Sequence, residues 1–328
     1  MRGSYQFRVR SRKTIFEFTI RRNITVIKGD SATGKTTLLH MLYEYLRVGR
    51  ESGYSVYSEV EYYVYLRREV GRSWQDILYP LKETIIFIEE NNEFVFSKEF
   101  ADFVKNSGNY FVLVNRSPLK MLPYSIHEIY EIITEGKRAD VRESYHQLKE
   151  LYSNYPLPEN NKMKYVVTED SNSGFQFFAE VFRKSNVVSA GGNSNVITAM
   201  EKLPAGDTLI IVDGASFGAI IEACLEYFRT GKGRRVSIWM PESFEYLILR
   251  AGLIQSKDLE KIFAATSDYV EAKEYESWER YFTHLLTSMT RDTPNAYSKS
   301  TLNKFYITDK SIRKMEELFP VPIRDCLE

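Results

Sequence analysis

Cysteine is scarce in this chain, since only Cys224 and Cys326 occur among its 328 residues. The two lie far apart and without metal-ligand spacing, which argues against a disulfide framework and indicates a reducing compartment. Long hydrophobic runs are also missing: no stretch approaches about eighteen uninterrupted apolar residues, and the N-terminus lacks the apolar core of a signal peptide. We therefore expect a cytoplasmic protein with no membrane partner.

An excess of either charge is absent too, because 44 lysines and arginines balance 44 aspartates and glutamates. Global basicity therefore gives no sign of nucleic acid, although the first fifty residues carry eleven basic and three acidic side chains. This local excess of positive charge indicates either a surface that attracts phosphate groups or the solvated face of an exposed hairpin. The length, with 43% hydrophobic and 27% charged residues, predicts an ordinary globular chain with two separate cores.

One motif carries specific chemistry, in the segment NITVIKGDSATGKTTLLHML at residues 23–42. The spacing Gly29-x-x-x-x-Gly34-Lys35-Thr36 matches the phosphate-binding loop, or Walker A, pattern in full. The run ITVI before the loop predicts a buried strand, and TTLLHMLYEYL after it has apolar residues at helical spacing. Strand, loop and helix is the arrangement that phosphate binding requires.

In such a loop the backbone amides surround phosphate oxygens, and the helix N-terminus adds partial positive charge. Lys35 is expected to neutralise the β and γ phosphates, and the Thr36 hydroxyl to bind Mg²⁺. The sequence predicts a nucleoside triphosphate site, with ATP favoured by default because no NKxD-like guanine reader occurs. The predicted cofactor-binding residues are Gly29, Asp30, Ser31, Ala32, Thr33, Gly34, Lys35, Thr36 and Thr37.

Two later apolar runs end in polar residues that suit hydrolysis. The first, 85–88, precedes Glu89 and Glu90 and resembles a Walker B element with glutamate in place of aspartate. Glu89 would then hold magnesium through water, and Glu90 would orient or deprotonate the attacking water. The second run ends at Asn115, a γ-phosphate sensor candidate, and Arg116, which would meet phosphate in cis or contact a neighbouring subunit. The alternative for Glu89, Glu90, Asn115 and Arg116 is that each only follows a buried strand at the point where the chain reaches solvent.

The wider organisation follows from composition. The segments YQFRVRS and TIFEFTI alternate apolar and polar residues and predict an antiparallel hairpin on the edge of the ATPase sheet. No LSGGQ-like signature or clear Q-loop occurs, so full ABC-type machinery is not indicated. We expect a P-loop domain over 1–136, a charged amphipathic helix and Pro/Asn-rich linker over 137–161, an α/β domain over 162–254 and a helical segment over 255–328.

The 162–254 region alternates strand-like and helical runs, which predicts a parallel sheet with its ligand site at the carboxyl ends of the strands. Four acids fall at those ends and form a candidate Mg²⁺ site, because hard cations prefer carboxylate oxygen. They are Glu169, Asp170, Asp213 and Glu242.

Glu169 after the first strand, AGGNSNV after the second and IIVDGASFG after the third resemble a TOPRIM domain. The resemblance is to the ATPase–nuclease proteins of the overcoming-lysogenization-defect type. It implies that Glu169 and Asp213 organise magnesium around a phosphodiester, and it implies a place in phage defence or a mobile element. The family's second aspartate is Ala215 here. Either Asp170 or Glu242 compensates, or catalysis is lost.

In the tail, basic residues alternate with aromatic ones between 291 and 314, a pattern that suits either a nucleic-acid backbone or an ordinary helical surface. The leading hypothesis is a Mg²⁺-dependent ATPase whose nucleotide state controls a TOPRIM-like domain that acts on or senses DNA or RNA. The alternative is a nucleotide-gated scaffold with a dead second domain that recruits a protein partner or a second copy.

Overall fold

The computed structural model of the chain describes residues 1–29, 33–66, 71–135, 143–152, 157, 163–230 and 235–327. They form two compact units: unit 1 is Met1–Ser153 with Lys261–Ser277, and unit 2 is Asn154–Glu260 with Trp278–Glu328. The expected α/β class is confirmed, with one large mixed sheet and one small parallel sheet. The tail expected as one helical segment divides between the two units.

Unit 1 is built on a nine-stranded sheet with the order β4-β1-β2-β9-β8-β3-β7-β6-β5. The strands β1 to β9 are, in chain order, Tyr5–Arg10, Thr14–Ile20, Ile24–Lys28, Ser55–Ser58, Tyr62–Tyr65, Ile85–Ile88, Tyr110–Val114, Ile129–Glu135 and Ser144–Glu150. The helices of the unit are α1 at Lys35–Val48, α2 at Trp74–Leu78 and α3 at Lys98–Asn106.

Five neighbouring strands of this sheet, β8-β3-β7-β6-β5, run parallel. Strands β3, β6 and β7 are buried at every position, as their unbroken apolar runs predict for strands covered on both faces. Because the five are parallel, the residues after β3, β6 and β7 emerge at the same sheet edge. The strand β7 lies between the other two.

The rest of the sheet corrects two expectations. The hairpin of β1 and β2 is present, but it is internal rather than at the edge, because β4 pairs with the outer side of β1. The described part of the expected connector helix over 137–161 is the strand β9 instead. It pairs in parallel with β2 and antiparallel with β8. The backbone hydrogen bonds to these two strands outweigh the local helical preference that the spacing of its charged residues indicates.

Unit 2 contains a four-stranded sheet, β11-β10-β12-β13, in which every pair is parallel. These strands match the four predicted from the alternating pattern: β10 Tyr165–Thr168, β11 Asn186–Ser189, β12 Thr208–Ile211 and β13 Val236–Trp239. The helices from α4 onward are Ser173–Val181, Val196–Lys202, Ile221–Thr230, Phe244–Arg250, Leu259–Ala264, Trp278–Thr290, Asp309–Glu316 and Val321–Arg324. Of these, α8 at Leu259–Ala264 crosses the boundary between the units.

Two global features of the described residues bear on the sequence expectations. None of their helices combines the length and the apolar character that a membrane span requires. Cys224 and Cys326 are both buried and free of disulfide bonds.

Candidate functional site

The predicted phosphate loop lies between β3 and α1, as the strand–loop–helix pattern requires. Gly29 follows β3 with φ of 113°, and Gly34 precedes the first residue of α1 with φ of 100°. Both angles lie in the region that side chains with a Cβ rarely adopt, so each position favours glycine. Asp30, Ser31 and Ala32 lie outside the described residues.

Lys35 is the first residue of α1, and its ammonium group makes hydrogen bonds to residues at both ends of the loop. Its Nζ donates to the carbonyl oxygen of Gly29 at 2.6 Å and to Thr33 Oγ1 at 3.1 Å. The side chain is buried, although a lysine is seldom enclosed without acceptors for its charge. The ammonium is therefore held at the loop, where a terminal phosphate would replace these neutral acceptors.

A pocket of about 490 Å³ opens over this loop. Lys35 lies in its wall beside the exposed Thr36 and Thr37, and two of the residues predicted for hydrolysis, Glu90 and Arg116, complete one side. The remaining lining residues are Thr14, Phe16, Thr33, Gly34 and His146. The structure thus brings loop, acid and arginine around one cavity.

Glu90 and Arg116 are joined across the edge of the sheet. Arg116 Nε lies 2.8 Å from Glu90 Oε1, and both side chains are partly exposed to the pocket. Glu89 precedes Glu90, but its side chain is not among the lining residues; its carbonyl oxygen accepts from Asn92 Nδ2 at 2.7 Å. Of the two predicted acids, Glu90 is the one that faces the loop.

Asn115 is buried directly after β7, beside the strand that leads into the loop. Its backbone N–H donates to the Ile27 carbonyl oxygen at 3.2 Å, and its Oδ1 accepts from the Ser117 amide at 3.0 Å. The side-chain oxygen therefore stabilises the turn after β7.

Sequence reasoning missed one wall of the pocket, the stacked pair of Phe16 and His146. The ring centroids are 4.6 Å apart with planes 18° from parallel. The imidazole lies within hydrogen-bonding distance of Thr134 Oγ1, at 3.1 Å, and Ser144 Oγ, at 3.2 Å. Burial lowers the pKa of His146. No local signal marks this residue, because its place depends on the pairing of β9 with β2.

A second pocket of about 300 Å³ shares Thr36 and Thr37 with the first. Its other walls are Ser11, Met41 and an aromatic pair, His40 and Tyr54, whose ring centroids are 6.3 Å apart at 84°. The two pockets are therefore adjacent, with one over the loop and the other beside α1.

In unit 2 the parallel sheet brings Glu169 and Asp213 together, as predicted. Glu169 follows β10, and its Oε2 accepts from the Asp213 amide at 3.0 Å. Asp213 follows β12, and its Oδ1 accepts from the Phe244 amide at 3.0 Å. Each carboxylate thus has one oxygen bound to backbone at the sheet edge.

The other two predicted acids have different surroundings. Asp170 accepts from the amides of Gly174, at 3.3 Å, and Phe175, at 2.9 Å, so both of its oxygens cap the start of α4. The carbonyl oxygen of Glu242 accepts from the amide of Ala215 at 3.1 Å. Ala215 itself is buried, and its methyl side chain has no oxygen that could bind a metal ion.

The sequence did not reveal the remaining members of this edge, which come from distant segments. Lys299 Nζ donates to Glu279 Oε1 at 2.6 Å and lies 4.0 Å from Glu245 Oε1. Glu279 Oε2 accepts from Ser216 Oγ at 3.2 Å, and Glu245 Oε1 accepts from the Tyr297 hydroxyl at 2.7 Å. We call Glu169, Asp213, Glu245, Glu279 and Lys299 the carboxylate cluster.

Burial is the main cause of the raised pKa values of Glu169, Asp213 and Glu245. Burial, and next the Glu279 carboxylate, raise the pKa of Glu169 to about 7. Burial followed by Glu279 and Glu169 raises the pKa of Asp213 well above its ordinary value. Burial also raises the pKa of Glu245, against the opposing effect of the Lys299 ammonium. Burial alone would lower the pKa of Lys299, but Glu279 and Glu245 outweigh it and the net shift is upward.

The two sites differ in how well they suit magnesium. The pocket over the β3–α1 loop places the Thr36 hydroxyl and the Glu90 carboxylate around one open cavity, and oxygen ligands of this kind suit a hard cation. Among the described residues, no three or more histidine, cysteine, aspartate or glutamate side chains are grouped so as to hold a metal ion. The carboxylate cluster as it stands is therefore not arranged as a metal centre.

The aromatic residues of the tail lie mainly inside unit 2. Tyr297 and Tyr306 are buried and hydrogen-bonded, so they are not placed to stack on nucleic-acid bases. Lys299 points into the carboxylate cluster. The exposed basic residues that remain are Arg291, Lys304, Lys310 and Arg313.

No protein-family model matches the chain, and no curated protein matches it at a significant level.

Proposed function

We propose that unit 1 binds and hydrolyses ATP with magnesium in the pocket over the β3–α1 loop. The observation that carries this proposal is the position of Lys35. Its ammonium is buried at the N-terminus of a fourteen-residue helix, bonded only 2.6 Å from the Gly29 carbonyl, and it faces a cavity that also holds an acid and an arginine. Buried positive charge at a helix N-terminus favours a phosphate anion.

The side chains around the pocket can be assigned roles in an in-line attack of water on the γ-phosphate. Lys35 and the loop amides bind the phosphates, and Glu90 orients the water and accepts its proton. The Thr36 hydroxyl would hold magnesium directly, and Glu89, whose side chain does not line the pocket, would act on it only through water. The metal would supply positive charge that neutralises the phosphates. Arg116 is paired with Glu90 and lines the same pocket as Lys35, from which it would meet the phosphate in cis.

The second pocket supports a nucleoside at the other end of the ligand. It adjoins the loop through Thr36 and Thr37, and Tyr54 and His40 offer aromatic faces to a base. The polar groups in its lining are the hydroxyls of Ser11, Thr36, Thr37 and Tyr54 and the imidazole of His40, each of which can both donate and accept a hydrogen bond. Such groups suit adenine and guanine equally. We expect GTP to compete with ATP here.

We further propose that the nucleotide state of unit 1 controls unit 2, which acts on or senses DNA or RNA. The parallel sheet of unit 2, with Glu169 and Asp213 joined at the carboxyl ends of its strands, is what supports this reading. The link to nucleic acid, and to phage defence or mobile elements, rests on the TOPRIM resemblance alone.

A second candidate function is a nucleotide-gated scaffold whose second unit recruits a partner without cutting nucleic acid. Two observations favour it: Ala215 is a buried alanine where the resembled family has an aspartate, and Lys299 is bonded within the carboxylate cluster.

The experiment that tests both candidates is a turnover assay with and without DNA and RNA, read together with nicking of a supercoiled plasmid. Metal-dependent nicking that Glu169→Ala and Asp213→Ala both abolish would establish the nucleic-acid enzyme. Turnover without nicking favours the scaffold. A folded protein with no turnover of any nucleoside triphosphate would contradict the proposal for unit 1.

A further inference from the structure

The carboxylate cluster of unit 2 already contains a cation. The Lys299 ammonium is bonded to Glu279 Oε1 at 2.6 Å and lies 4.0 Å from Glu245 Oε1. Its charge also favours the ionised forms of Glu169 and Asp213, so the ammonium acts on these two carboxyl groups as well as on the two that it contacts. The lysine is therefore a member of the cluster and not a surface residue near it.

The backbone that carries Lys299 is fixed independently of the side chain. The carbonyl oxygen of Lys299 accepts from the Ser173 amide at 2.9 Å, at the first residue of α4. On the same segment, the Ser300 carbonyl oxygen and the Leu302 amide bond to the Gln176 side chain at 3.0 and 2.9 Å. These bonds hold residues 299–302 against α4 and direct the ammonium to the sheet edge.

The carboxylate oxygens are largely occupied by protein donors. Glu279 uses one oxygen for Lys299 and the other for Ser216, and Glu245 Oε1 accepts from Tyr297. Glu169 and Asp213 each accept from a backbone amide. Magnesium or calcium needs about six or more oxygen ligands, several of them from water or carboxylate. In the cluster, Glu245 Oε2 is the buried carboxylate oxygen that has no hydrogen-bond partner among the described residues.

We propose that the Lys299 ammonium is the resident cation of this cluster and excludes a divalent metal from it. The ammonium and a metal ion would compete for the same Glu279 and Glu245 oxygens, and two such charges a few ångströms apart repel strongly at low dielectric. The cluster then holds its sheet edge together by an internal ion pair. The inference goes beyond the proposed ATP chemistry and does not depend on it.

Manganese binding to the full chain without nucleotide, measured by electron paramagnetic resonance, tests this proposal. The wild-type protein should bind no Mn²⁺ in the cluster at concentrations up to about 1 mM. Lys299→Met keeps the backbone bonds to α4 and removes the charge, so it should gain one Mn²⁺ site with at least tenfold higher affinity. Adding Glu279→Gln should abolish the gained site, which locates it in the cluster.

Lys304→Met is the matched control, since Lys304 is an exposed lysine of the same segment and should gain no site. Lys299→Arg keeps the positive charge and should also gain none. The proposal is overturned if wild-type protein binds Mn²⁺ in a way that Asp213→Asn abolishes, or if folded Lys299→Met gains no site. Should Lys299→Met fail to fold, the wild-type titration with Asp213→Asn decides the question alone.

Discussion

Lys35, Glu90 and Arg116 are the charged residues that line the pocket over the β3–α1 loop, and each is placed by a different element. Lys35 begins α1, Glu90 follows β6 and Arg116 follows β7. Because β3, β6 and β7 are parallel, Lys35, Glu90 and Arg116 meet at one cavity although they lie far apart in the chain. The ion pair of Glu90 with Arg116 fixes the acid at the pocket edge.

The first prediction concerns Glu90 as the base for hydrolysis. Glu90→Gln should retain ATP binding and lower turnover by on the order of 10²-fold, because the amide keeps the shape but accepts no proton. Binding by calorimetry and phosphate release under saturating ATP measure the two effects separately. Glu93→Gln, a change at an acid three residues later that does not line the pocket, serves as the control. Unchanged turnover in Glu90→Gln would refute the catalytic role.

The second prediction concerns the pH dependence of unit 2. The pKa of Glu169 is raised from 4.5 to about 7 in the folded state, first by burial and next by Glu279. The protonated carboxyl group therefore makes its full contribution to the stability of the folded state at pH values below the unfolded pKa of 4.5. This contribution is lost as the pH rises through the folded pKa of about 7. Glu169→Gln, which stays neutral, should show a weaker fall in unfolding free energy between pH 5 and pH 8.

Urea titrations at several pH values measure this difference, with Glu201→Gln as an exposed control in the same unit. An identical pH dependence in wild type and Glu169→Gln would show that Glu169 does not bind a proton in this range.

At the level of elements, the helix α4 explains the position of Asp170. Both of its carboxylate oxygens accept backbone amides in the first turn of α4, and a Cβ at Gly174 would lie 3.0 Å from Asp170 Oδ1. Gly174 therefore gives the carboxylate room to approach the helix. The acid that the sequence suggested as a metal ligand acts as a cap in the structure.

The third prediction follows from this cap. Asp170→Ala should lower the unfolding free energy by about 1–2 kcal/mol, the usual cost of losing a capping side chain. Asp170→Asn keeps one of the two acceptors, which can still take the closer Phe175 amide, and should lose less than the alanine variant. Thermal or urea unfolding measures both, with Asp292→Ala, an exposed aspartate after the end of α9, as the control. Equal losses in the alanine and asparagine variants would contradict the capping role.

Local pattern accounts for the elements that the sequence predicts well. The loop between β3 and α1, and the four strands of unit 2, each combine a short apolar run with a turn and a helical spacing. The strand β9 could not be found this way, because its bonds come from β2 and β8. Local pattern also could not identify Lys299 and Glu279 as members of the carboxylate cluster. They approach the acids of the sheet edge only because the tail packs onto α4 and α7.

At the scale of the whole molecule, the proposal requires that unit 2 responds to the nucleotide bound by unit 1. The fourth prediction is that saturating Mg²⁺ and ATP slow amide hydrogen exchange in 24–48, and also change exchange in at least one of the strands β10 to β13. Lys35→Ala should abolish both changes. Protection confined to unit 1 would preserve the nucleotide site and contradict the control of unit 2.

Calorimetric titration of ATP with magnesium tests whether the β3–α1 loop with Lys35 holds a nucleoside triphosphate, as we propose. Wild type should bind one ATP per chain, and Lys35→Ala should weaken binding by tenfold or more, about 1.4 kcal/mol or more. The exposed Lys82→Ala in the same unit should bind as wild type. Failure of folded wild-type protein to bind ATP, or equal affinity in Lys35→Ala, would contradict the account.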